Sequence, residues 1–370
     1  MSETMEAVIC RDFNDWTIES VPRPTPGPDE VLIDVDRVQL SVTECQRFRG
    51  EPISGREKIH TQMQEGDGRV FGHEFCGTVA ETGRDVDSFA VGDRVYPPAK
   101  VPCSDCAYCR AGYRGLCPDK TSIGTGRPGA LAESIAVPAE VLRTLPDGVS
   151  DAEGAAMQPL ASAMLCTYDA GIEPGDVVAV IGAGVMGSQC GQLARLTGAR
   201  TVFAIDVVAE KLAVADGLGM VALDPRNSDP IEEVRAATDG IGADVVFAAV
   251  GGDQSDMTAG DDPLAQAYRM VRNGGRILQV GHVLGEVTMT PRRMRDKSVR
   301  WINPRFGVRS LGPNTDTGDL AADLVADDRI VIEDYITHER AGLEAFGEAV
   351  DITVEKADYG ALGPAQMVLS

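Results

Sequence analysis

This chain of 370 residues has no long apolar run. None of its stretches reaches the roughly 18 consecutive apolar residues that a membrane-spanning helix needs, and its N-terminal residues lack the apolar segment of a secretory signal. These absences exclude a membrane partner and favour the cytoplasm. Nine cysteines, four of them close together, then indicate metal binding rather than a disulfide framework.

Basic residues are scarce as well. The chain has 34 of them, only six being lysine, against 57 acidic residues, so its formal net charge is −23. Such an acidic surface repels phosphate groups and excludes nucleic acid as a partner. Dense carboxylates keep a protein hydrated where salt screens their mutual repulsion, so we interpret the charge as halophilic, an adaptation to a high-salt cytoplasm. The alternative is an ordinary, moderately acidic bacterial enzyme.

A glycine-rich turn between two apolar runs is the most informative motif. The run Val177–Ile181 leads into a helical pattern through Gly182-Ala183-Gly184-Val185-Met186-Gly187, and a second apolar run then ends at Asp206. Strand, glycine turn, helix and strand in this order are typical of a dinucleotide-binding βαβ unit. In such a unit Gly182 permits the tight turn, Gly184 lets the backbone approach the pyrophosphate, and Gly187 lets the helix pack closely on the strand. The helix N-terminus offers N–H groups to the phosphates.

Asp206 indicates which dinucleotide binds. It lies 24 residues after Gly182 and ends the second strand, where a carboxylate accepts hydrogen bonds from a ribose 2′-OH and repels a 2′-phosphate. Val207 and Val208 follow it and supply no arginine for that phosphate. The sequence therefore favours NAD over NADP.

The remaining pattern places this unit inside a larger α/β fold. Short strands separated by Gly and Pro predict an all-β barrel for about the first 150 residues, with a strand over Val70–Val79. Residues 150–171 read as one helix. Helices and strands then alternate, which predicts a doubly wound parallel sheet. Because ligands lie at the carboxyl ends of such strands, we expect Val250 and Val280 to line the cofactor site.

Four cysteines form a compact motif in the barrel segment. Cys103, Cys106, Cys109 and Cys117 have the spacing CxxCxxCx7C, which suits a closed tetrahedral zinc site with no open position for substrate. An iron–sulfur cluster is the first alternative, but its bacterial motif spaces the last cysteine differently. Disulfides are the second, and they are rare in the cytoplasm. We predict a structural zinc.

Taken together, these motifs resemble the zinc-containing medium-chain alcohol and polyol dehydrogenases, a superfamily that includes sorbitol, threonine and glucose dehydrogenases. The matching residues are Gly72-His73-Glu74, the four-cysteine lobe, Gly92-Asp93-Arg94-Val95, the glycine turn, and Asp206 with Lys211. The resemblance implies a GroES-like catalytic domain over residues 1–157 and 307–370, and a Rossmann NAD-binding domain over residues 158–306. It also implies that Lys211 is one of the residues that bind the cofactor. It also implies a small-molecule substrate and a homodimer or homotetramer.

The chain departs from this family where the catalytic zinc would bind. The family takes its ligands from the cysteine of Cys-Gly-Thr-Asp, the histidine of Gly-His-Glu, and a cysteine or the glutamate of Glu-Pro-Leu. Here the aligned stretches are Ser41-Val42-Thr43-Glu44 and Gln158-Pro159-Leu160, so His73 remains while both anionic ligands are replaced. Three outcomes stay open: a rebuilt zinc site with His73 and Glu74, with or without Glu44 or Cys45 as a further ligand; a metal-free site; or a non-catalytic NAD-binding protein.

The resemblance implies an NAD-dependent oxidoreductase acting on a secondary alcohol, polyol or sugar. Thr43 would take the alcohol proton beside His73, and zinc would stabilise the developing alkoxide. Without zinc, His73 would be the electrophile or general acid, which favours carbonyl or enone reduction. We count Ser41, Thr43, His73, Glu74 and Gln158 as the candidate catalytic residues. Arg305 is a further candidate for binding a substrate hydroxyl or carboxylate.

Overall fold

The computed structural model describes residues 3–65, 68, 70–253, 262–284, 290–304, 307–312 and 315–370. The chain divides into two compact units. The first comprises Met1–Ala161, Phe306–Asp328 and Ile332–Ser370, and the second comprises Ser162–Arg305 and Arg329–Val331. Arg305 lies outside the described residues. No helix in the described ranges is long and apolar enough to cross a membrane.

A seven-stranded sheet forms the centre of the first unit. Its strands lie in the order Glu339–Ala341, Gln366–Val368, Glu30–Gln39, Glu74–Thr82, Arg94–Tyr96 and Arg143–Thr144, with Ser134–Pro138 also paired to Glu30–Gln39. Val31, Ile33 and Val35 alternate along one strand and enter the main hydrophobic core, as the two-residue period of a strand requires. A separate antiparallel hairpin is made by Thr4–Asp12 and Asp15–Pro22, and a small one by Ser310–Gly312 and Thr315–Asp316.

Helices of the first unit connect these strands. The α-helices are Val42–Phe48, Arg56–Gln64, Ala107–Arg110, Asp151–Ala155, Thr317–Ala326, Phe346–Val354 and Lys356–Tyr359, and the 3₁₀ turns are Arg114–Leu116, Ala139–Val141, Glu333–Tyr335 and Leu343–Ala345. The longer helix Met157–Ala170 begins in this unit. Phe48 anchors the first helix, since its ring packs 5.2 Å from Phe346 and 6.4 Å from Phe71, centroid to centroid. That anchor fixes the segment in which Ser41, Thr43 and Glu44 lie.

The second unit is built on a six-stranded parallel sheet. Its strands lie in the order Val221–Leu223, Thr201–Ile205, Val177–Ile181, Ala243–Ala248, Val271–Gln279 and Arg300–Ile302. In chain order this is 3-2-1-4-5-6, the strand order of a dinucleotide-binding doubly wound sheet. The order reverses beside Val177–Ile181, so a ligand site is expected at the carboxyl end of that strand. Gly252–Asp253 and Val283–Leu284 pair in parallel and form a separate two-stranded sheet.

Helices flank this sheet in the βα alternation expected from the sequence. Besides Met157–Ala170 they are Val185–Thr197, Ala209–Gly217, Pro230–Ala236, Pro263–Met270 and Pro291–Lys297. Three of them begin with proline at the first helical position, where a missing N–H has no cost. The fold class, a Rossmann doubly wound sheet with a GroES-like domain, is confirmed.

Four local expectations were wrong. The first 150 residues are not all β, because Val42–Phe48 and Arg56–Gln64 are helical. His73 precedes its strand, which begins at Glu74. Residues 150–171 form two helices that part at Ala156, since Pro159 lacks the N–H that would continue the first one. The parallel sheet also has a further strand, Arg300–Ile302, which the sequence pattern did not predict.

Candidate functional site

The helix Val42–Phe48 presents three of the predicted residues. Ser41 is its N-cap with extended backbone, and its side chain makes no capping hydrogen bond. Thr43 is half-buried, whereas Glu44 is only 4% exposed. A glutamate in the first turn suits the helix dipole, yet its burial requires polar partners. Glu44 finds those partners on a different segment.

His73 is the main partner of Glu44. Its Nδ1 lies 3.1 Å from Glu44 Oε2, and the backbone N–H of Gly72 donates to Glu44 Oε1 at 3.2 Å. The carboxylate thus accepts the Nδ1 proton, which leaves Nε2 as the ring nitrogen available for chemistry. The imidazole is 29% exposed, so it can be reached from solvent.

Glu74 lies on the other side of the ring. Its Oε1 is 3.8 Å from His73 Nε2, and its Oε2 accepts a hydrogen bond of 2.7 Å from Gln39 Nε2. Gln39 in turn accepts from Gln366, whose amide also donates to the Ala152 carbonyl. These contacts hold the buried Glu74 side chain in one position.

The two neighbouring carboxylates set the protonation of His73. Burial lowers the imidazole pKa, but the charge and hydrogen bond of Glu44, with the charge of Glu74, outweigh it and raise the pKa above its ordinary 6.5. Burial raises the pKa of Glu74 above its ordinary value, against the opposing effects of His73 and Gln39. The arrangement therefore favours a protonated imidazole that can donate a proton from Nε2.

Gln39 and Gln366 were missed by sequence reasoning. Their register explains why they matter: Gln39 pairs with Glu74 across one strand pair, and with Gln366 across the next. Both glutamines are fully or almost fully buried. A glutamine at the end of an amphipathic strand gives no sequence signal of this role, because the pairing depends on strands far apart in the chain.

Gln158 occupies the first turn of the helix Met157–Ala170 and is half-buried. It belongs to the same unit as His73. The structure thus brings Glu44, His73 and Glu74 into direct contact, with Ser41 and Thr43 on the helix that carries Glu44. The catalytic roles of Ser41, Thr43, His73, Glu74 and Gln158 stay predictions.

The four predicted zinc ligands come together in a second cluster. The ligand sulfur atoms of Cys103, Cys106, Cys109 and Cys117 all lie within 4.8 Å of one another. Backbone N–H groups point at these sulfurs, as in Cys106 N to Cys103 Sγ at 3.3 Å and Cys109 N to Cys106 Sγ at 3.5 Å. Hydrogen bonds from the backbone of Asp105 and Cys106 lower the pKa of Cys103 to about 7, which favours the thiolate that binds metal.

The glycine turn of the second unit has two positions that only glycine fits. Gly182 has φ +95°, and a Cβ there would lie 2.8 Å from the Val250 side chain. A Cβ on Gly187 would lie 1.8 Å from the Gly182 carbonyl oxygen, so the helix could not pack as it does. Gly184 caps the helix Val185–Thr197, and nothing lies within 4 Å of a Cβ built there. Val185 and Met186 begin that helix.

Asp206 closes this turn from the neighbouring strand. Its Oδ2 accepts a hydrogen bond from Ala183 N at 2.8 Å, and its Oδ1 accepts one from Val208 N at 2.9 Å. Lys211 is half-buried on the next helix, Ala209–Gly217. Val280 directly follows the strand Val271–Gln279, and its N–H donates to the Ala248 carbonyl at 2.9 Å. Ala248 ends the neighbouring strand, Ala243–Ala248, and Val250 lies two residues further on. The geometry gathers Gly182, Asp206 and Val250 around one edge of the sheet.

Two family models match the chain: the alcohol dehydrogenase GroES-like domain over residues 27–147 and the zinc-binding dehydrogenase over residues 185–315. An L-threonine 3-dehydrogenase from Coxiella burnetii is 30% identical over 267 residues, which cover 71% of this chain and 73% of that protein. The chain belongs to the zinc-containing medium-chain alcohol dehydrogenase family. The resemblance inferred from the motifs is thereby confirmed.

Further relatives of this family agree with the assignment. A sorbitol dehydrogenase from Bacillus subtilis is 28% identical over 281 residues, which cover 75% of each chain. The crystal structure of a zinc-binding dehydrogenase from Sinorhizobium meliloti 1021, bound to NADP, has a TM-score of 0.83 at 26% identity and covers 100% of both chains. The chain is accordingly an oxidoreductase of the alcohol and polyol dehydrogenase type.

Proposed function

We propose that this family member is an NAD-dependent dehydrogenase that interconverts a secondary alcohol, polyol or sugar with the corresponding carbonyl compound. The observation that carries the proposal is the contact of Glu44 with His73 Nδ1, at 3.1 Å, which leaves His73 Nε2 for the substrate oxygen. The GroES-like unit would supply this proton donor, and the Rossmann unit would hold the cofactor.

The second unit has residues that fit NAD. The open space at Gly184 and the helix N-terminus behind it suit a pyrophosphate. Bound NAD supplies the hydride acceptor or donor. Asp206 supports NAD rather than NADP, because its carboxylate repels a 2′-phosphate. The nearby Arg226 is engaged by Asp224, with Nε to Oδ1 at 2.9 Å and a terminal nitrogen to Oδ2 at 2.7 Å.

The four-cysteine cluster fits one structural zinc, since it offers four thiol ligands whose sulfur atoms all lie within 4.8 Å of one another. The donors at His73 do not fit the family's catalytic zinc. Among the described residues, only the cysteine cluster brings three or more His, Cys, Asp or Glu ligand atoms within 4.8 Å of one another. Ser41 and Gln158 add no charge. We therefore assign proton transfer at the substrate oxygen to His73 itself.

His73 would act as the general acid in carbonyl reduction and as the base in the reverse reaction. Glu44 fixes the ring and its tautomer, and Thr43, one residue earlier on the helix, would orient the substrate hydroxyl. Without a metal to lower the pKa of an alcohol, this arrangement suits carbonyl reduction better than alcohol oxidation. A zinc-independent carbonyl or enone reductase is therefore the second candidate function.

The test compares His73→Ala with wild type on an identified substrate. Loss of a general acid should lower kcat by about 10²- to 10⁴-fold while NADH binding, followed by fluorescence, stays unchanged. His338→Ala, which removes another partly buried histidine of the same unit, should have no such effect. Unchanged turnover in His73→Ala would remove that residue from the mechanism.

Metal content and assembly complete the proposal. One zinc per chain would agree with the cysteine cluster alone, whereas two would show a rebuilt catalytic site that includes His73 and Glu74.

We also propose a homodimer or homotetramer, to be measured by light scattering. Because the net charge is −23, assays should be run at high as well as low salt, and a halophilic enzyme should be more active and more stable at high salt.

A further inference from the structure

A buried glycine lies directly against the carboxylate that contacts His73. Gly124 belongs to the first unit and has φ +79°. A Cβ built on it would lie 2.3 Å from Glu44 Oε1, far closer than an ordinary non-bonded contact. The next atoms that this Cβ would meet are Gly72 N at 3.1 Å and the Phe71 carbonyl carbon at 3.4 Å. The space that a side chain would need at Gly124 is therefore filled by the Glu44 carboxylate.

Both oxygens of this carboxylate have a partner. Oε1, the atom nearest Gly124, accepts the Gly72 N–H at 3.2 Å, and Oε2 lies 3.1 Å from His73 Nδ1. Glu44 is only 4% exposed, so a displaced carboxylate would lose these partners where water does not readily replace them. Because one planar group carries both oxygens, a shift of Oε1 also changes the contact with His73.

The backbone beside the carboxylate is held by its own hydrogen bonds. Ala130 N donates to the Gly72 carbonyl and Leu131 N to the Phe71 carbonyl, both at 2.9 Å. Gly72 has φ +99°, and a Cβ there would lie 3.0 Å from Leu131 N, so these two segments already touch. A methyl group on the facing glycine would therefore displace the end of the Glu44 side chain more easily than the backbone around it.

We propose that Gly124 is a positioning residue for the proton donor, because its missing side chain leaves the space in which Glu44 reaches His73. The inference rests on the proposed dehydrogenase function, in which His73 transfers the proton. Glu44 has one methylene more than the aspartate of the Cys-Gly-Thr-Asp motif that its segment resembles. Its carboxylate therefore extends further from the helix and needs this space.

The experiment compares Gly124→Ala with a glycine substitution that strains the backbone without displacing a carboxylate. Gly92→Ala is this control, since Gly92 lies in the same unit at φ +97° and nothing lies within 4 Å of a Cβ built there. Both variants should lose some thermal stability, because alanine is strained at positive φ. Glu44→Asp, alone and combined with Gly124→Ala, completes the set, because the shorter side chain leaves room for the added methyl group.

In Gly124→Ala, kcat/KM for an identified substrate should fall by about 10- to 100-fold, the range typical of partners that orient metal-ligating histidines. The loss should lie mainly in kcat, because proton transfer is impaired while NADH binding, followed by fluorescence, stays unchanged. Gly92→Ala should match wild type in turnover. In the Glu44→Asp background, Gly124→Ala should cost less than about twofold, so that the two losses do not multiply.

Histidine-selective NMR gives a readout that needs no substrate. The chain has four histidines, and His73→Ala assigns the resonance of His73. The charge and hydrogen bond of Glu44 raise the pKa of His73, so that pKa should fall in Gly124→Ala, where the carboxylate is displaced. It should be the same in Gly92→Ala as in wild type.

An unchanged kcat with an unchanged pKa of His73 in Gly124→Ala would overturn the inference and leave the dehydrogenase function standing. An equal loss in the Glu44→Asp background would do the same, because the methyl group would then act on something other than the longer carboxylate. If Gly124→Ala does not fold, the double variant decides. A folded, active double variant supports the positioning role, and one that is also unfolded overturns it.

Failure of the proposed function has a different signature. If His73→Ala retains full turnover, or if no substrate is turned over, His73 is not shown to be the proton donor, and the NMR titration alone decides the role of Gly124. A lower pKa of His73 in Gly124→Ala than in Gly92→Ala supports that role, and equal values overturn it.

Discussion

Glu44 Oε2 and His73 Nδ1 lie 3.1 Å apart, in a pair that joins the first turn of a helix to the loop before a strand. The motif resemblance puts Glu44 where the family's Cys-Gly-Thr-Asp motif has its acid, and Ser41 where it has the zinc-binding cysteine. We propose that this acid orients the histidine. This pair is why we assign the proton-transfer role to His73.

Removing the charge of Glu44 should impair catalysis without unfolding the protein. In Glu44→Gln an amide replaces the carboxylate that accepts the Nδ1 proton, and the preferred tautomer of His73 changes. Partners that orient metal-ligating histidines are typically worth about 10- to 100-fold, and we expect a fall of similar size in kcat/KM here. Steady-state kinetics with an identified substrate measures it.

The control for this change is Glu65→Gln, an exposed position in the same unit. Its kinetics should match those of wild type. If Glu44→Gln retains full activity and an unchanged pH–rate profile, the carboxylate does not orient His73 and the mechanism needs another proton donor.

The parts of this site that could be predicted are those encoded by local motifs. Each of these motifs lies within one short segment of backbone, which fixes the spacing of its residues. The positions of the glycine turn, of Asp206 and of the four cysteines could therefore be predicted from the sequence. The support around Glu74 was not predictable. Gln39 and Gln366 reach it only because three strands from distant parts of the chain pair in one register.

The prediction of secondary structure failed at two elements for related physical reasons. The helix Val42–Phe48 begins with the β-branched Val42 and Thr43, which favour strands locally, and it forms because Phe48 packs against Phe346. The strand Arg300–Ile302 has only three residues and pairs with Val271–Gln279, so its short pattern gave no periodic signal.

The cysteine lobe should hold one zinc per chain that contributes to stability. Cys106→Ser removes one thiolate from a four-ligand site, so we expect the zinc to be lost and the thermal midpoint to fall. Elemental analysis and calorimetry measure the two effects. A strong chelator should lower the midpoint of wild type as well.

Cys45→Ser is the matched control, since Cys45 is a buried thiol outside the lobe. Burial raises its pKa well above the ordinary value, which disfavours a metal-binding thiolate. Zinc content should stay at one in this variant. Loss of zinc from Cys45→Ser, or its retention in Cys106→Ser, would contradict the assignment.

Asp206 should determine the choice between NAD and NADP. In Asp206→Asn the repulsion of a 2′-phosphate disappears, and the charge of nearby Arg226, which Asp206 now partly offsets, becomes more favourable to it. We expect the ratio of kcat/KM for NAD over that for NADP to fall by about tenfold, in line with the loss of a charged hydrogen bond.

Initial rates at varied concentrations of both cofactors give this ratio. Asp216→Asn, at an exposed position of the helix Ala209–Gly217, should leave it unchanged. A wild type that uses both cofactors equally would refute the role of Asp206 before any variant is made.

Glu74 should make the first unit less stable as the pH rises. Burial raises its pKa in the folded protein, so the native state binds this proton more tightly than the unfolded chain. Its favourable contribution is complete below the unfolded pKa and is lost as the pH rises through the folded pKa. Glu74→Gln carries no such proton, so its stability relative to wild type should improve as the pH increases above about 4.5.

Urea unfolding from pH 4 to pH 7, followed by Trp16 fluorescence, measures this difference. Trp16 lies in the first unit and Trp301 in the second, so a Trp301→Phe background isolates the relevant signal. Glu57→Gln, whose side chain is 81% exposed, should show no comparable trend. A difference between Glu74→Gln and wild type that stays constant with pH would mean that Glu74 titrates alike in both states, and that Gln39 and His73 fully offset the cost of its burial.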